Sequence, residues 1–196
     1  MVTGLPGSRP LPLPTSAINE QRGASHLDIW GQVTNTTGGA IHELQVIASF
    51  YDAANRVVNV DWAWASQNAD RILNPGVTAP FQTTLDGATA TAWTRYELQT
   101  AYRAAPQPQP AGATLQNLSY FVDPGGLFVT LRGRVVNGTG SPLRQPRLVV
   151  TFLKDGKVQY ALSARLTVAE GLAAGTSVDY VVTDALPSGV ASTLSG

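Results

Sequence analysis

The chain has 196 residues, with 13 Lys and Arg against 13 Asp and Glu, so its formal net charge is zero. Balanced charge with only two lysines argues against a nucleic-acid binder, because binding to phosphates needs clustered basic side chains. The sequence contains no cysteine, which excludes disulfides and thiolate metal sites. Its hydrophobic content of 43% is sufficient for a packed core.

Residues 1–22 form an arm rich in proline and glycine. Prolines at positions 6, 10, 12 and 14 fix φ and remove backbone donors, which predicts an extended, polyproline-like conformation. The same prolines interrupt the apolar segment that a signal peptide needs, and no stretch reaches the roughly 18 apolar residues of a membrane span. Two interpretations fit: a cytoplasmic protein, or an extracellular or cell-surface protein whose signal peptide is not part of this chain. We favour the second.

A second proline-rich stretch, 106–110 (PQPQP), predicts a semi-rigid linker between segments 23–105 and 111–196. These segments resemble each other, which predicts a tandem repeat. A shift of 102 positions pairs the following residues: Gly31, Val33, Asn35, Thr37, Gly38 and Ile41 with Gly133, Val135, Asn137, Thr139, Gly140 and Leu143, and Val46, Ala48 and Phe50 with Leu148, Val150 and Phe152. Further on, a shift of 99 pairs Leu73, Gly76 and Phe81 with Leu172, Gly175 and Tyr180.

Inside each segment, hydrophobic and polar residues alternate with a period of two, which is typical of half-buried antiparallel strands. Residues 56–65 show this pattern, and it predicts that Val58, Val60, Trp62 and Trp64 face a core. Turn signals such as Asp155-Gly156 separate the predicted strands. The sequence therefore predicts an all-β protein built from two tandem immunoglobulin-like antiparallel β-sandwiches behind a proline-rich N-terminal arm.

The second repeat, 111–196, is predicted to be incomplete at its C-terminus. The first repeat ends in a predicted strand over about 93–103, and the shift of 99 places its counterpart from Ser192 onward, beyond Gly196. We therefore expect the second sandwich to lack its last strand and to present unpaired backbone groups at an edge. Three explanations are open: another strand covers the edge, the edge is tolerated, or the chain is truncated. One supplier of a strand is a neighbouring subunit, by strand addition, and a head-to-tail contact of this kind builds a filament.

The run 46–52 (VIASFYD) carries a resemblance to a known family. Together with the G-x-V-x-N pattern at 31–35, and with 73–76 (LNPG) ahead of Phe81, it resembles the FxLYD domain over about 80 residues in each copy. Ala48, Phe50, Tyr51 and Asp52 stand at the motif positions, and the second copy departs further with Val150, Phe152, Leu153 and Lys154. The family is a small immunoglobulin-like module of prokaryotic exported and surface proteins, so the resemblance implies this fold and location, and no functional residues.

Residues suited to catalysis or metal binding are few. His26 and His42 are the only histidines, and the sequence has neither an H-E-x-x-H nor a G-x-S-x-G motif. Asp52, Asn55 and Asp61 lie near one predicted hairpin, where Asp52 and Asp61 are a conceivable catalytic pair and all three offer oxygen ligands to calcium. In a small sandwich such residues more often solvate turns. We therefore expect no enzyme, no metal site and no cofactor.

Two tryptophans fall on predicted polar strand faces, Trp30 beside Asp28 and Trp93 beside Arg95. Aromatic residues are enriched at protein interfaces. We therefore take Trp30, Trp93 and Arg95 as the candidate interaction surface.

Two function hypotheses follow from this reading. The leading one is a non-enzymatic structural or assembly protein that acts through protein–protein contacts, with self as its partner in a homo-oligomer or filament. The alternative is a carbohydrate-binding or adhesion accessory module of a cell-surface protein, which predicts an exposed, coplanar aromatic pair including Trp30 or Trp93. N-x-[ST] sequences at Asn35, Asn117 and Asn137 are formal glycosylation signals, although turn geometry explains the repeated pair at Asn35 and Asn137.

Overall fold

A computed structural model of the chain describes residues 12–23, 25–67, 71–87, 93–109, 112–168, 171–187 and 189–194. Strands account for 62% and helix for 4%, and the sheets are antiparallel, which confirms the predicted all-β fold. The strands are β1 (Thr15–Arg22), β2 (His26–Thr34), β3 (Ile41–Tyr51), β4 (Val57–Trp64), β5 (Thr78–Asp86), β6 (Arg95–Ala104), β7 (Ala113–Val122), β8 (Phe128–Asn137), β9 (Arg147–Lys154), β10 (Lys157–Arg165) and β11 (Ser177–Ala185). A 3-10 turn (Ala65–Gln67) and a short helix, α1 (Ala191–Leu194), complete the set.

The chain divides into two compact units, one of residues 1–109 and 155–158 and one of residues 110–154 and 159–196. The first unit holds two three-stranded sheets, in the orders β1-β2-β5 and β4-β3-β6. Apolar side chains from the two sheets form its core, which includes Leu27, Ile29, Val33, Val46, Ala48, Phe50, Phe81 and Leu85. Alternation along β2 and β3 gives each strand the inward apolar row that this packing needs.

Part of the predicted N-terminal arm is a strand. Residues 15–22, expected to continue the polyproline-like arm, form β1 and pair antiparallel with β2. The physical reason is that the last proline of the arm stands at position 14, so every backbone donor of β1 is available for a ladder. Leu13 is already buried, and its backbone N–H donates to Thr100 Oγ1 at 3.0 Å. Residues 1–11 of the arm lie outside the described residues.

The predicted inward orientation of Trp62 on β4 is wrong, although Val58 packs against the core as predicted. Asp61 lies opposite the core residue Ala48, whereas Trp62 lies opposite Ile47 on the outer face and is 46% exposed. The Asp61 carboxylate accepts hydrogen bonds from the Thr83 hydroxyl and from the backbone N–H of Thr84 on β5. Asp61 is therefore tolerated on the inner face of β4, because β4 is an edge strand and the Asp61 carboxylate accepts hydrogen bonds from the neighbouring sheet.

The second unit contains a three-stranded sheet, in the order β11-β8-β7, and the β9–β10 pair. Its β8 is paired antiparallel along its whole length with β11 and, apart from one irregularity, with β7. β8 supplies the buried side chains Val129, Leu131 and Val135 to the interior.

Asp123 fixes the turn between β7 and β8. Its carboxylate accepts backbone N–H bonds from Phe128 at 2.6 Å, from Leu127 at 2.7 Å and from Gly125 at 3.0 Å. The bond from Phe128 leads in lowering the pKa of this carboxyl below its usual range, and the other two add to it. The charged form is therefore favoured in the folded unit.

We expect this carboxylate to make the stability of the second unit pH-dependent. Its pKa is lower in the folded than in the unfolded chain, so its contribution is complete above the unfolded value of about 3.9 and is lost as the pH falls through the folded value. Urea midpoints measured between about pH 6 and 2 should fall less steeply in Asp123→Asn than in the parent protein. The same slope in both proteins would contradict the assignment.

Candidate interaction site

One buried asparagine organises the loop after β2 in the first unit. Asn35 is fully buried, and its Nδ2 donates to the backbone carbonyls of Gly39 at 2.9 Å and Leu73 at 2.8 Å. Its Oδ1 accepts from the backbone N–H of Thr37 at 3.0 Å and from the Thr37 hydroxyl at 2.7 Å. All four hydrogen-bonding positions of this side-chain amide are thus used inside the protein.

The second unit repeats this network in every bond. Asn137 is fully buried and donates to Ser141 O at 3.0 Å and to Leu172 O at 2.8 Å, while accepting from Thr139 N at 3.0 Å and Thr139 Oγ1 at 2.6 Å. The bridge between Ile41 and Leu73 likewise recurs between Leu143 and Leu172. Two of the three N-x-[ST] sequences are therefore structural, and positions 102 apart are equivalent here.

A bulge in the first strand of each unit is the second shared feature. Residues 17–18 of β1 lie opposite Gly31, and residues 117–118 of β7 lie opposite Gly133, with φ of 54° at Ala17 and 52° at Asn117. A Cβ on Gly31 would lie 2.6 Å from the Phe81 ring, and one on Gly133 would lie 2.8 Å from the Tyr180 ring. Glycine is needed at both positions, because the aromatic ring of the paired strand covers them.

The two units differ at one strand position. In the first unit, β3 pairs with β4 on one side and with β6 on the other. In the second unit, β9 is equivalent to β3 and pairs with β10, and the described part of the chain places no strand on its other side. This is the strand position that the sequence predicts to be missing. We call it the open edge of β9.

The first unit shows what a strand in this position does. Thr100, Ala101 and Tyr102 of β6 are buried, and Tyr96 and Leu98 pack against the core. Burial and the Glu20 carboxylate of β1 raise the pKa of Tyr96 to about 12. β6 therefore both extends its sheet and closes the side of the sandwich.

An apolar groove lies beside the open edge of β9. Its volume is about 330 Å³, and its lining consists of Leu118, Tyr120, Leu131, Val150, Thr151, Phe152, Leu153, Lys154, Thr193 and Leu194. Four of these residues are equivalent to core-packing residues of the first unit: Leu118 to Ile18, Leu131 to Ile29, Val150 to Ala48 and Phe152 to Phe50. In the first unit Leu98 lies opposite Ala48 and packs against the core, so the part of the groove beside Val150 is equivalent to the position of Leu98.

The end of the described chain closes one end of this groove. Leu194 of α1 is buried, and its carbonyl accepts a hydrogen bond from the Tyr120 hydroxyl at 2.9 Å. Tyr120 in turn stands edge-on to Phe152, with ring centroids 5.2 Å apart. By the shift of 99, Leu194 corresponds to Arg95, the first residue of β6. Among the described residues, no strand occupies the rest of this position, opposite Val150 and beyond.

Exposed apolar side chains concentrate in the second unit. Of the eleven large apolar side chains that are exposed among the described residues, three belong to the first unit (Val57, Trp62, Val77) and eight to the second (Leu115, Leu118, Tyr120, Phe121, Leu127, Phe128, Leu153, Val181). Large exposed apolar surface on a folded protein marks an interaction site. The second unit is therefore the better candidate for a contact with another polypeptide.

The expected exposure of Trp30 is wrong, because this ring is 1% exposed. Its neighbour Asp28 is also buried, and the Asp28 carboxylate accepts from the Thr84 hydroxyl at 2.6 Å and from Gln82 Nε2 at 3.3 Å. Polar neighbours therefore do not mark an exposed face of β2, because they are bonded to β5. Trp30 offers no surface for a partner.

Trp93 and Arg95 support the first unit at the start of β6. Trp93 is half-buried, with its ring 5.8 Å from Phe50 and an interplanar angle of 69°. Arg95 stacks over Tyr51 at 3.8 Å and donates to Glu97 at 2.6 Å. The bond from Arg95 leads in lowering the pKa of Glu97. Trp93 therefore packs on the core.

The expected coplanar aromatic pair is not found among the tryptophans described. Trp93 and Tyr96 meet at 68°, and Trp62 and Trp64 meet at 80° with ring centroids 5.2 Å apart. Trp62 is the tryptophan with an exposed ring, although the alternation of residues 56–65 predicts that it faces the core.

The candidate calcium ligands bond to three different partners. The Asp52 carboxylate accepts from the backbone N–H of Arg56 at 2.9 Å, while the Asn55 side chain accepts from Arg95 at 3.0 Å. Asp61 is bonded to β5, as described above. Within the described ranges, no group of three or more His, Asp or Glu side chains could hold a metal ion. No helix in this part of the chain is long and apolar enough to cross a membrane.

Comparison of the chain with protein-family models, curated proteins and solved structures gives no significant match.

Proposed function

We propose that the chain is a non-enzymatic structural protein, located outside the cytoplasm, that assembles with further copies of itself through protein–protein contacts. Its two units are interpreted as tandem immunoglobulin-like sandwiches of the FxLYD type. The observation that carries the proposal is the open edge of β9 with an apolar groove beside it. The contact is strand addition, in which a segment of the next subunit takes the position that β6 has in the first unit.

The composition of β9 favours such a contact. Its sequence, RLVVTFLK, contains no proline and no charge between Arg147 and Lys154, so the usual devices that protect an edge strand are confined to its two ends. An added strand would gain backbone hydrogen bonds along the edge, and its alternate side chains would enter the groove. Backbone pairing supplies affinity and the groove supplies selectivity.

A contact of this kind is heterologous, because the acceptor is the second unit and the donor is a different segment of the neighbouring chain. Heterologous contacts that do not close into a ring repeat indefinitely and build a filament. The proposal therefore predicts a concentration-dependent linear polymer.

The experiment compares the parent protein with Leu118→Asp and Val181→Asp by sedimentation velocity across concentrations and by negative-stain microscopy. Leu118 is 48% exposed and lines the groove, whereas Val181 is 67% exposed and lies on β11 outside the groove lining. A carboxylate buried without a partner should weaken assembly by roughly tenfold or more in Leu118→Asp. Val181→Asp should assemble like the parent.

Isolated monomers of the parent at every concentration would overturn self-assembly. Equal assembly of the two variants would show that the groove takes no part in the contact.

A further inference from the structure

The aromatic ring that covers the bulge differs between the two units. In the first unit, Phe81 of β5 covers Gly31. In the second unit, the equivalent ring is Tyr180 of β11, which covers Gly133 and adds a hydroxyl group. Tyr180 is 6% exposed, and its hydroxyl is buried without a hydrogen-bond partner among the described residues. A buried hydroxyl that makes no hydrogen bond does not stabilise a fold, so stability does not account for a tyrosine at this position.

The Tyr180 hydroxyl takes a place that belongs to the first strand of the sheet in the first unit. Over Gly31, this place is filled by Ile18 of β1, whose Cδ1 lies 2.6 Å from the position of an added Cβ. Over Gly133, the nearest atoms are the hydroxyl oxygen and Cζ of Tyr180, at 2.5 and 2.8 Å from an added Cβ. Leu118 is the equivalent of Ile18, and it contributes none of the three nearest atoms there.

The two equivalent aliphatic side chains have different surroundings. Ile18 is partly buried and packs against the core of the first unit. Leu118 is 48% exposed and lines the groove beside β9. Protein interiors are packed at contact distance, so a hydroxyl oxygen and a methyl group cannot fill the same space. Only one of the two groups can therefore lie over the glycine of each unit.

We infer that Tyr180 is the positioning residue of the groove: its hydroxyl lies over Gly133, keeps Leu118 turned outward and so holds open the apolar space beside β9. This role concerns the shape of the groove, whereas its effect on assembly rests on the proposed function. The described part of the second unit also lacks a strand like β6, which leaves Leu118 with less cover. Reciprocal variants in the two units separate these influences, because β6 is present in the first unit.

The experiment measures nuclear Overhauser effects from labelled isoleucine and leucine methyl groups in the full chain, at a concentration where the chain is dispersed. In the parent protein, the Ile18 Cδ1 methyl should show a strong effect to the α protons of Gly31. The Leu118 methyls should show a weak effect, or none, to the α protons of Gly133. In Tyr180→Phe, Leu118 should turn inward, so that its effect to Gly133 becomes comparable to that of the Ile18–Gly31 pair.

Phe81→Tyr is the reciprocal variant in the first unit. It adds a hydroxyl to the ring over Gly31 and should weaken the effect between Ile18 and Gly31, although β6 is present. An unchanged effect would contradict the inference, since the cover provided by β6, and not the hydroxyl, would then set the position of this side chain.

Tyr160→Phe is the matched control in the second unit. Tyr160 is 5% exposed, and its hydroxyl donates to Asp184 Oδ2 at 2.7 Å. Its loss should lower the urea midpoint of the second unit and leave Leu118 in its outward position. Tyr180→Phe should keep the midpoint or raise it, because the hydroxyl that it removes has no hydrogen-bond partner in the described part of the chain.

Sedimentation velocity of Tyr180→Phe then tests the effect on assembly, which should weaken by about threefold or more as Leu118 fills the groove. An unchanged effect between Leu118 and Gly133 in Tyr180→Phe, or the same gain in Tyr160→Phe, would overturn the positioning role. If Leu118 turns inward and assembly is unchanged, the positioning role of Tyr180 stands and the proposed contact through the groove fails.

Discussion

Replacing Asn137 by alanine is expected to lower the free energy of unfolding of the second unit by about 2–4 kcal/mol, and Asn35→Ala should act equally on the first unit. The substitution leaves the backbone N–H of Thr139 without its acceptor and removes one of the two hydrogen bonds to the carbonyl of Leu172, which keeps the bond from Leu143 N–H. Buried groups that lose their hydrogen bonds carry the full free energy of desolvation. Urea denaturation should show that each variant destabilises its own unit.

Asn117→Gly is the control, because Asn117 begins the third N-x-[ST] sequence but is exposed with φ of 52°. Glycine adopts this conformation freely, so we expect a change of less than about 0.5 kcal/mol. A loss in Asn117→Gly as large as that in Asn137→Ala would mean that the buried network is not the origin of the effect.

Phe50→Ala should destabilise the first unit by about 3–5 kcal/mol, because Phe50 is fully buried between the two sheets. Phe152 is its equivalent in the second unit, yet the destabilisation caused by Phe152→Ala should be smaller, at about 2–3 kcal/mol. Phe152 lines the open groove, so its removal enlarges a space that already reaches solvent and leaves no sealed cavity.

Denaturant titrations of the two variants measure this difference, and far-UV circular dichroism establishes that both variants fold. Equal destabilisation would contradict the open groove, since it would mean that Phe152 is enclosed as completely as Phe50.

The repeated turn could be read from the sequence, because it depends on matched positions rather than on details of packing. Asn35 and Asn137 begin the same turn with the same threonine two residues later, and the structure shows the same hydrogen bonds around both. These matched positions also align β9 with β3, and the described part of the chain places no strand on the outer side of β9.

The faces of two strands could not be read from alternation alone. Asp28 and Asp61 are polar residues on covered faces, and each is tolerated because hydroxyl or amide groups of β5 bond its carboxylate. Such pairs come from strands far apart in the sequence. The sequence pattern therefore predicts an exposed Trp30 and a buried Trp62, whereas Trp30 is buried and Trp62 is exposed.

The strand β1 and the groove were missed for different reasons. The prolines up to position 14 led to the prediction of a polyproline-like arm over residues 1–22, although residues 15–22 contain no proline and pair with β2. The groove residue Leu118 had a detectable signal, since it lies 100 positions after Ile18 in an equivalent bulge.

The bulges of β1 and β7 also bear on aggregation at two edges of the sheets. Each bulge sets two residues against one glycine in the middle of an outermost strand, which breaks the even spacing of backbone groups that cross-β stacking requires. A strand of a growing fibril could pair only with the short stretches on either side of each bulge, because neither edge strand is flat along its whole length. The fold thus keeps two of its borders unsuited to uncontrolled aggregation.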